Sequence, residues 1–192
     1  LDFLLLTKRP EYMGEIVPKS WHENPPANWW QGVSISTQRD ADERLPLISA
    51  LRAAVRFVSF EPLLECIDFD IDVDSTSNRF GLLTCARCNG FGAHEVASPV
   101  GGDPYDLACG CCGGSGSFLD WALIGGESGG IEKARECEYS AIRSMLMQVE
   151  MANVVPFVKQ VGRNPVDIID GQRRRLKLVD KKGGDLDELP ED

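Results

Sequence analysis

Five short apolar runs, at residues 2–7, 29–35, 55–60, 119–125 and 154–159, recur along the chain with helix-like patterns between most of them. Near-continuous apolar content over five to seven residues suits strands buried on both faces of a parallel sheet. Alternation of such runs with helices predicts βαβ units. Pro10 fits the first position of a short helix over 11–17. Thr37-Gln38-Arg39-Asp40 has the form of a capping box with Asp in place of Glu or Gln. Pro46 is expected to divide the helix that follows, with Leu47, Ile48 and Leu51 turned inward. Ile142, Met145, Leu146 and Val149 fall at i, i+3, i+4 and i+7, the stripe of an amphipathic helix packed on a core.

Each run ends in polar or glycine-rich residues: Thr7-Lys8-Arg9, Ser34 with Ser36, Ser59 with Glu61, Gly125-Gly126-Glu127-Ser128, and Lys159-Gln160. Parallel α/β folds bind ligands at the carboxyl ends of their strands. The expected fold is therefore α/β, a partial (β/α) barrel with one site at its mouth. Lys8, Glu61 and Lys159 are the candidates for chemistry, with Arg9 beside them, and the cations suit a phosphate or carboxylate. Pro62 restricts the backbone of Glu61 and so aims its carboxylate.

Residues 70–118 differ in character from the flanking segments 1–69 and 119–170, and 171–192 form a polar C-terminal tail. The segment is rich in Gly, Asp, Ser and Cys. Within it, Asp70, Asp72, Asp74, Glu95, Asp103 and Asp106 against Arg79 and Arg87 leave a net charge of −4. A loop this long needs a staple. Cys85-x-x-Cys88-x-Gly90-x-Gly92 and Cys109-x-x-Cys112-x-Gly114-x-Gly116 repeat one eight-residue pattern, with 20 residues between Cys88 and Cys109. Two intervening residues let paired thiolates face one ion, and the glycines turn backbone amides toward the sulfurs. Four thiolates form a closed structural zinc site, and an iron–sulfur cluster is the metal alternative. Cys111 and His94 are possible substitute ligands, whereas Cys66 and Cys137 read as ordinary buried thiols. The repeat resembles the zinc-binding repeats of J-domain chaperones, which carry the knuckle four times; only the knuckle chemistry carries over to two copies.

Further motifs are Leu6-Thr-Lys-Arg-Pro10, Gly32-Val-Ser34, Ala41-Asp-Glu-Arg44, Arg56-Phe-Val-Ser59 with Glu61-Pro-Leu-Leu64, 120–129 (DWALIGGESG) and Pro156-Phe-Val-Lys-Gln160. Taken in order they resemble a phage and bacterial family of unassigned function and radical-SAM-like type. The resemblance implies an N-terminal cysteine motif upstream of Leu1, resembling an iron–sulfur ligand set, with a [4Fe–4S] cluster and S-adenosylmethionine in the complete protein. Both ends of the chain read as cuts, so the piece in hand is expected to be inactive alone. The resemblance also invites Gly125-Gly126-Glu127 to be compared with the element that holds the methionyl amine of S-adenosylmethionine, although more strands precede it here than in radical enzymes.

Two other readings stand beside this one: a non-catalytic barrel-fold binding or regulatory protein associated with phage, and a zinc-dependent nucleic-acid-processing protein. Thirty acidic against 20 basic residues give a net charge of −10, which disfavours broad nucleic-acid binding. Arg173, Arg174 and Arg175 with Lys177, Lys181 and Lys182 form a basic run that reads first as a solvated surface; a nucleic-acid partner would rest on that run alone and is not favoured. The substrate, small-molecule or macromolecular, is not readable. No run reaches the roughly 20 apolar residues of a membrane span, and no leader opens the chain, so a cytoplasmic location is expected.

Overall fold

A computed structural model describes residues 1–71, 81–97, 103–130 and 132–189. Asp72, Asp74 and Arg79, counted above in the charge of the 70–118 segment, lie outside the described residues.

The first strand, β1 (Phe3–Thr7), leads through a 3₁₀ turn at Pro10–Tyr12 and the short helix α1 (Met13–Ile16) to β2 (Trp29–Ser34). Helix α2 (Gln38–Ser49) connects to β3 (Val55–Phe60). The hairpin β4 (Ala93–Val96) and β5 (Tyr105–Ala108) lies within the cysteine-rich segment, which returns to β6 (Trp121–Gly125). Then come β7 (Cys137–Glu138), α3 (Tyr139–Met151), β8 (Val155–Gln160), β9 (Pro165–Ile169) and β10 (Gln172–Arg175). The main sheet is parallel throughout and ordered β1-β2-β3-β6-β8. A smaller sheet, β10-β9-β7, flanks it, turning between β9 and β10 at Asp170-Gly171, both with positive φ.

Strand order follows chain order, and α2 and α3 both pack on one face. Val33, Val58, Phe60, Ala122 and Ile124 share a single core with Ala41, Leu45 and Ile48 of α2 and with Ile142, Met145 and Val149 of α3. Alternation places Leu4, Trp30, Phe57, Trp121, Leu123 and Phe157 on the other face. There Trp30 and Phe57 each stack on Trp121, which also meets Phe157, at centroid distances of 6.0–6.4 Å. Gly32 makes room for this layer, since a Cβ on it would stand 2.3 Å from the Phe57 ring.

The sheet is open rather than closed, with β1 and β8 as its edges. The expectation of strands buried on both faces therefore fails at the edges: Leu4 is 53% exposed and Phe157 50% exposed. No helix among the described residues covers that aromatic face, so its residues are exposed at the edge strands, whereas on the central strands Phe57 and Ser59 are buried on it as well.

Two helical expectations need correction. Pro46 does not divide α2, which runs from Gln38 to Ser49 through it, and Leu47 points outward, 42% exposed, while Ile48 is buried. The cap at Thr37 forms as expected, its Oγ1 accepting from Asp40 N at 3.3 Å. The substituted Asp40 does the reciprocal work one residue further back, accepting from Ser36 N at 3.0 Å.

Between β3 and β6, where a crossover helix would lie, Ile67, Phe69, Leu83, Phe118 and Leu119 fill the core instead. The Gln148 amide of α3 fastens this segment, accepting from Phe69 N at 2.9 Å and donating to Ile67 O at 2.8 Å. The cysteine-rich segment is thus rooted in the sheet's core.

Candidate metal centre and strand-end site

The two cysteine knuckles form one module with internal pseudo-symmetry. Cys85 N donates to Gly116 O at 2.8 Å and Cys109 N to Gly92 O at 2.7 Å, so each knuckle opens on the close of the other. Gly92 N donates to Cys88 Sγ and Gly116 N to Cys112 Sγ, both at 3.3 Å. Those amides aim correctly because Gly90, Gly92, Gly114 and Gly116 take positive φ. At Gly92 a Cβ would meet Gly114 O at 2.2 Å, so glycine is required there.

The sulfurs of Cys85, Cys88, Cys109 and Cys112 all lie within 4.8 Å of one another and are buried; the four could hold a metal ion. Cys88 and Cys112 Sγ are 3.6 Å apart. Burial pushes the Cys85 thiol up to about 12. Burial opposes a thiolate at Cys112 as well, but the Gly116 and Gly114 N–H groups and the neighbouring thiols outweigh it and bring it down to about 7. The two knuckles therefore differ, Cys85 and Cys88 being raised by burial and Cys109 and Cys112 lowered, against burial, by the hydrogen bonds around them. Cys111 and His94 stand outside the four. Cys66 is exposed, correcting its reading as a buried thiol, because its loop carries only alternate residues into the core; Cys137 is buried as expected.

Arg56 joins this module to the sheet. It sits near the start of β3 with its side chain only 5% exposed. Its Nη2 donates to Cys111 O at 2.9 Å, its guanidinium lies 5.8 Å from the Phe118 ring centroid, and its backbone N donates to Asp120 Oδ2 at 2.7 Å. The cysteine module therefore sits at the amino ends of the central strands. Glu61, past the other end of β3, is about 16 Å along the strand from Arg56.

At the carboxyl ends the structure brings Glu61, Lys159, Gln160, Gly125 and Gly126 together. Lys159 Nζ lies 3.0 Å from Glu61 Oε1 and 3.1 Å from Oε2. Gln160 Nε2 donates to Glu61 Oε1 and to Gly126 O, each at 3.1 Å. A Cβ on Gly126 would stand 2.3 Å from Val161 O, and one on Gly125 3.4 Å from Glu61 Oε1. The glycine pair is what lets β6, β8 and the Glu61 carboxylate converge. On the neighbouring strand tip, Arg44 donates to Ser34 O and pairs with Asp40, both at 2.6 Å. Lys8 follows β1, two strands away from β3, exposed and without an ion pair among the described residues. Such a cluster can receive a ligand carrying both charges, Glu61 taking an ammonium and Lys159 an anion.

Glu127 is differently engaged. Arg135 grips it by both guanidinium edges, Nε to Oε2 at 2.8 Å and Nη2 to Oε1 at 3.0 Å, and by its backbone N at 2.9 Å. These bonds hold the Glu127 carboxyl down at about 2. Since the folded value lies below the unfolded one of roughly 4.3, the pair's contribution is present above about pH 4.3 and is lost as pH falls toward 2. NMR titration of the Glu127 carboxyl is expected to give a midpoint near 2, rising toward 4.3 in Arg135→Ala; equal midpoints in the two proteins would refute the pairing.

Gln160 was named from sequence at a strand tip and Arg56 within a motif, but neither was given a role, and Arg135 was not singled out. A charge inside an otherwise apolar strand run was a signal for Arg56; nothing marked Arg135 as the partner of a residue eight positions earlier.

Fold and site together define a mixed α/β protein: an open five-stranded parallel sheet bearing a four-cysteine candidate metal module at one end and a charged cluster at the other. The chain belongs to the family described as protein of unknown function DUF5131, whose model matches residues 1–188. No curated protein and no solved structure matches it. No helix among the described residues is long and apolar enough to cross a membrane.

Proposed function

We propose that this chain is the C-terminal part of a radical-SAM-like (β/α) barrel, with its site at the carboxyl ends of the strands and a structural zinc module at the opposite end. The observation that carries the reading is the winding of the sheet. Five parallel strands run in chain order with α2 and α3 on one face, whereas doubly wound sheets reverse order and place helices on both faces. The uncovered aromatic face is then the interior layer of a barrel.

Zinc is the metal favoured for the knuckles. A tetrahedral ion with bonds of about 2.3 Å to sulfur spaces its ligands about 3.8 Å apart, close to the 3.6 Å of Cys88 and Cys112. A four-iron cube seats each thiolate on a separate iron and spreads the sulfurs wider. The module's place beside Arg56, away from Glu61, suits a brace rather than a reactant.

A [4Fe–4S] cluster, held by cysteines outside this chain, would supply the electron that cleaves S-adenosylmethionine reductively. This chain's own residues would bind and orient: Lys159 and Gln160 fix Glu61, and Gly125 and Gly126 admit close backbone approach. Glu127 fits the methionyl ammonium only if Arg135 gives up part of its grip. In the intact protein, Glu127→Gln is expected to weaken S-adenosylmethionine binding about tenfold, the loss of one charge-assisted bond. Unchanged affinity removes Glu127 from the role, and the same test on Glu61→Gln decides whether that carboxylate takes it instead.

A binding or regulatory protein without cluster chemistry is the second reading, favoured by the ion pairing of both Glu61 and Glu127. For nucleic-acid processing the basic run offers less than its sequence suggests, since Arg173 is paired with Glu136 at 2.8 Å and with Glu138.

A further inference from the structure

Two adjoining concavities lie beyond the tips of β6 and β8, of about 650 and 450 Å³, and they share Arg163 and Lys181. Their walls carry five cations: Arg163, Arg175, Lys177, Lys181 and Lys182. Among the described residues Asp180 is the one carboxylate lining either of them, and it accepts from Lys182 N at 3.0 Å and Gly184 N at 2.8 Å, which ties its charge into the turn. Pro165, Leu176, Leu178 and Val179 supply the apolar wall of the larger one, and the 128–130 loop (Ser-Gly-Gly) lines the smaller, with open space where side chains on Gly129 and Gly130 would stand.

Cations without an ion pair among the described residues also occur singly, as at Lys8 and Lys19, but here five line one hollow. Arg9, Arg39, Arg44, Arg135, Arg143 and Arg173 each face a carboxylate within 4 Å. Among the described residues none of the five does. Arg163 and Arg175 instead donate to main-chain carbonyls, of Lys181 at 2.6 Å and of Arg163 at 3.0 Å, which fixes their guanidinium groups while leaving the charge unmatched. In a chain with ten more acidic than basic residues, five uncompensated cations gathered in one hollow are held there against the charge balance. An anion is their natural complement.

We propose that this hollow is an anion site that takes the phosphate or diphosphate group of a small molecule. Its size is that of a ligand pocket rather than an extended groove, and the chain's net negative charge repels a long polyanion. Glycines bring the main chain close to the anion as in phosphate loops. The site is independent of the cluster chemistry proposed above and stands if that proposal fails.

The test is calorimetric titration of the metal-loaded chain with inorganic pyrophosphate at low ionic strength. One saturable site is expected, weakened about tenfold by Arg163→Ala, the loss of one charge-assisted contact. Because Arg163 also braces the Lys181 carbonyl, Lys182→Glu gives a second variant on an exposed side chain, and it is expected to weaken binding at least as much. Lys19→Ala, an exposed cation elsewhere, should leave affinity unchanged. Absence of saturable binding, or equal loss in the Lys19 variant, overturns the proposal. So does tighter binding of a single-stranded oligonucleotide that weakens steeply with salt, which would make the hollow part of a nucleic-acid surface.

Discussion

Cys112→Ser should lower zinc content from one ion per chain to a small fraction under dialysis that leaves the unsubstituted protein loaded. Structural zinc sites contribute about 10–16 kcal/mol of binding free energy through four ligands. One ligand's share is therefore about 3 kcal/mol, or roughly a hundredfold in affinity. Serine keeps the size of the side chain but gives the ion a neutral, hard donor, and it leaves the Gly116 N–H without its sulfur acceptor. The change should be confined largely to the module, because Leu83 and Phe118 at its roots belong to the sheet's core and not to the knuckles. Elemental analysis together with amide exchange over 84–117 reads both parts. Full zinc retention in the variant would refute the four-thiolate site.

The second large effect is expected at Arg56. Alanine there strips Cys111 O of its buried donor and removes the cation over the Phe118 ring. Losing one partner of a buried, charge-assisted contact costs about 3 kcal/mol, a large share of the 5–15 kcal/mol that holds a typical domain. Unlike the cysteine change, this one should destabilise module and sheet together, since Arg56 is the join between them. Urea unfolding followed both by far-ultraviolet dichroism and by zinc release is expected to show the two transitions shifting in step. A shift confined to zinc release would mean that Arg56 serves the module alone.

The contrast between these two sites marks how much the sequence could reveal. The knuckles were fully legible, because two residues between thiolates and a glycine two and four positions later constrain the backbone locally; the whole motif closes within eight residues. The five strands were legible from their apolar runs, and the buried stripe Ile142, Met145, Leu146 and Val149 from its period. Pro46 misled because its cost inside a helix was weighed without the packing of Leu45 and Ile48, which anchor α2 on either side of it. Exposure of β1 and β8 was hidden as well: an apolar edge strand and an apolar central strand read alike, and only their neighbours distinguish them.

The strand-end site was half legible. Glu61 and Lys159, 98 residues apart, were both candidates because each follows an apolar run, and parallel strands carry such positions to one end of a sheet. That they meet at 3.0 Å depends on β3 and β8 both flanking β6, with Gly125 leaving space between them. Strand order is a long-range property with no local signature. The pairing of Glu127 with Arg135 is likewise invisible, as nothing in an eight-residue loop spacing dictates which cation turns back.

The most direct measurement is made on the intact gene product, reconstituted with iron and sulfide, reduced, and supplied with S-adenosylmethionine. Methionine release that depends on reductant and persists in the Cys112→Ser variant is the expected result, since the four-cysteine module lies at the opposite end of the strands from the proposed site. A reconstituted protein that takes up no iron–sulfur cluster and leaves S-adenosylmethionine uncleaved would contradict the account.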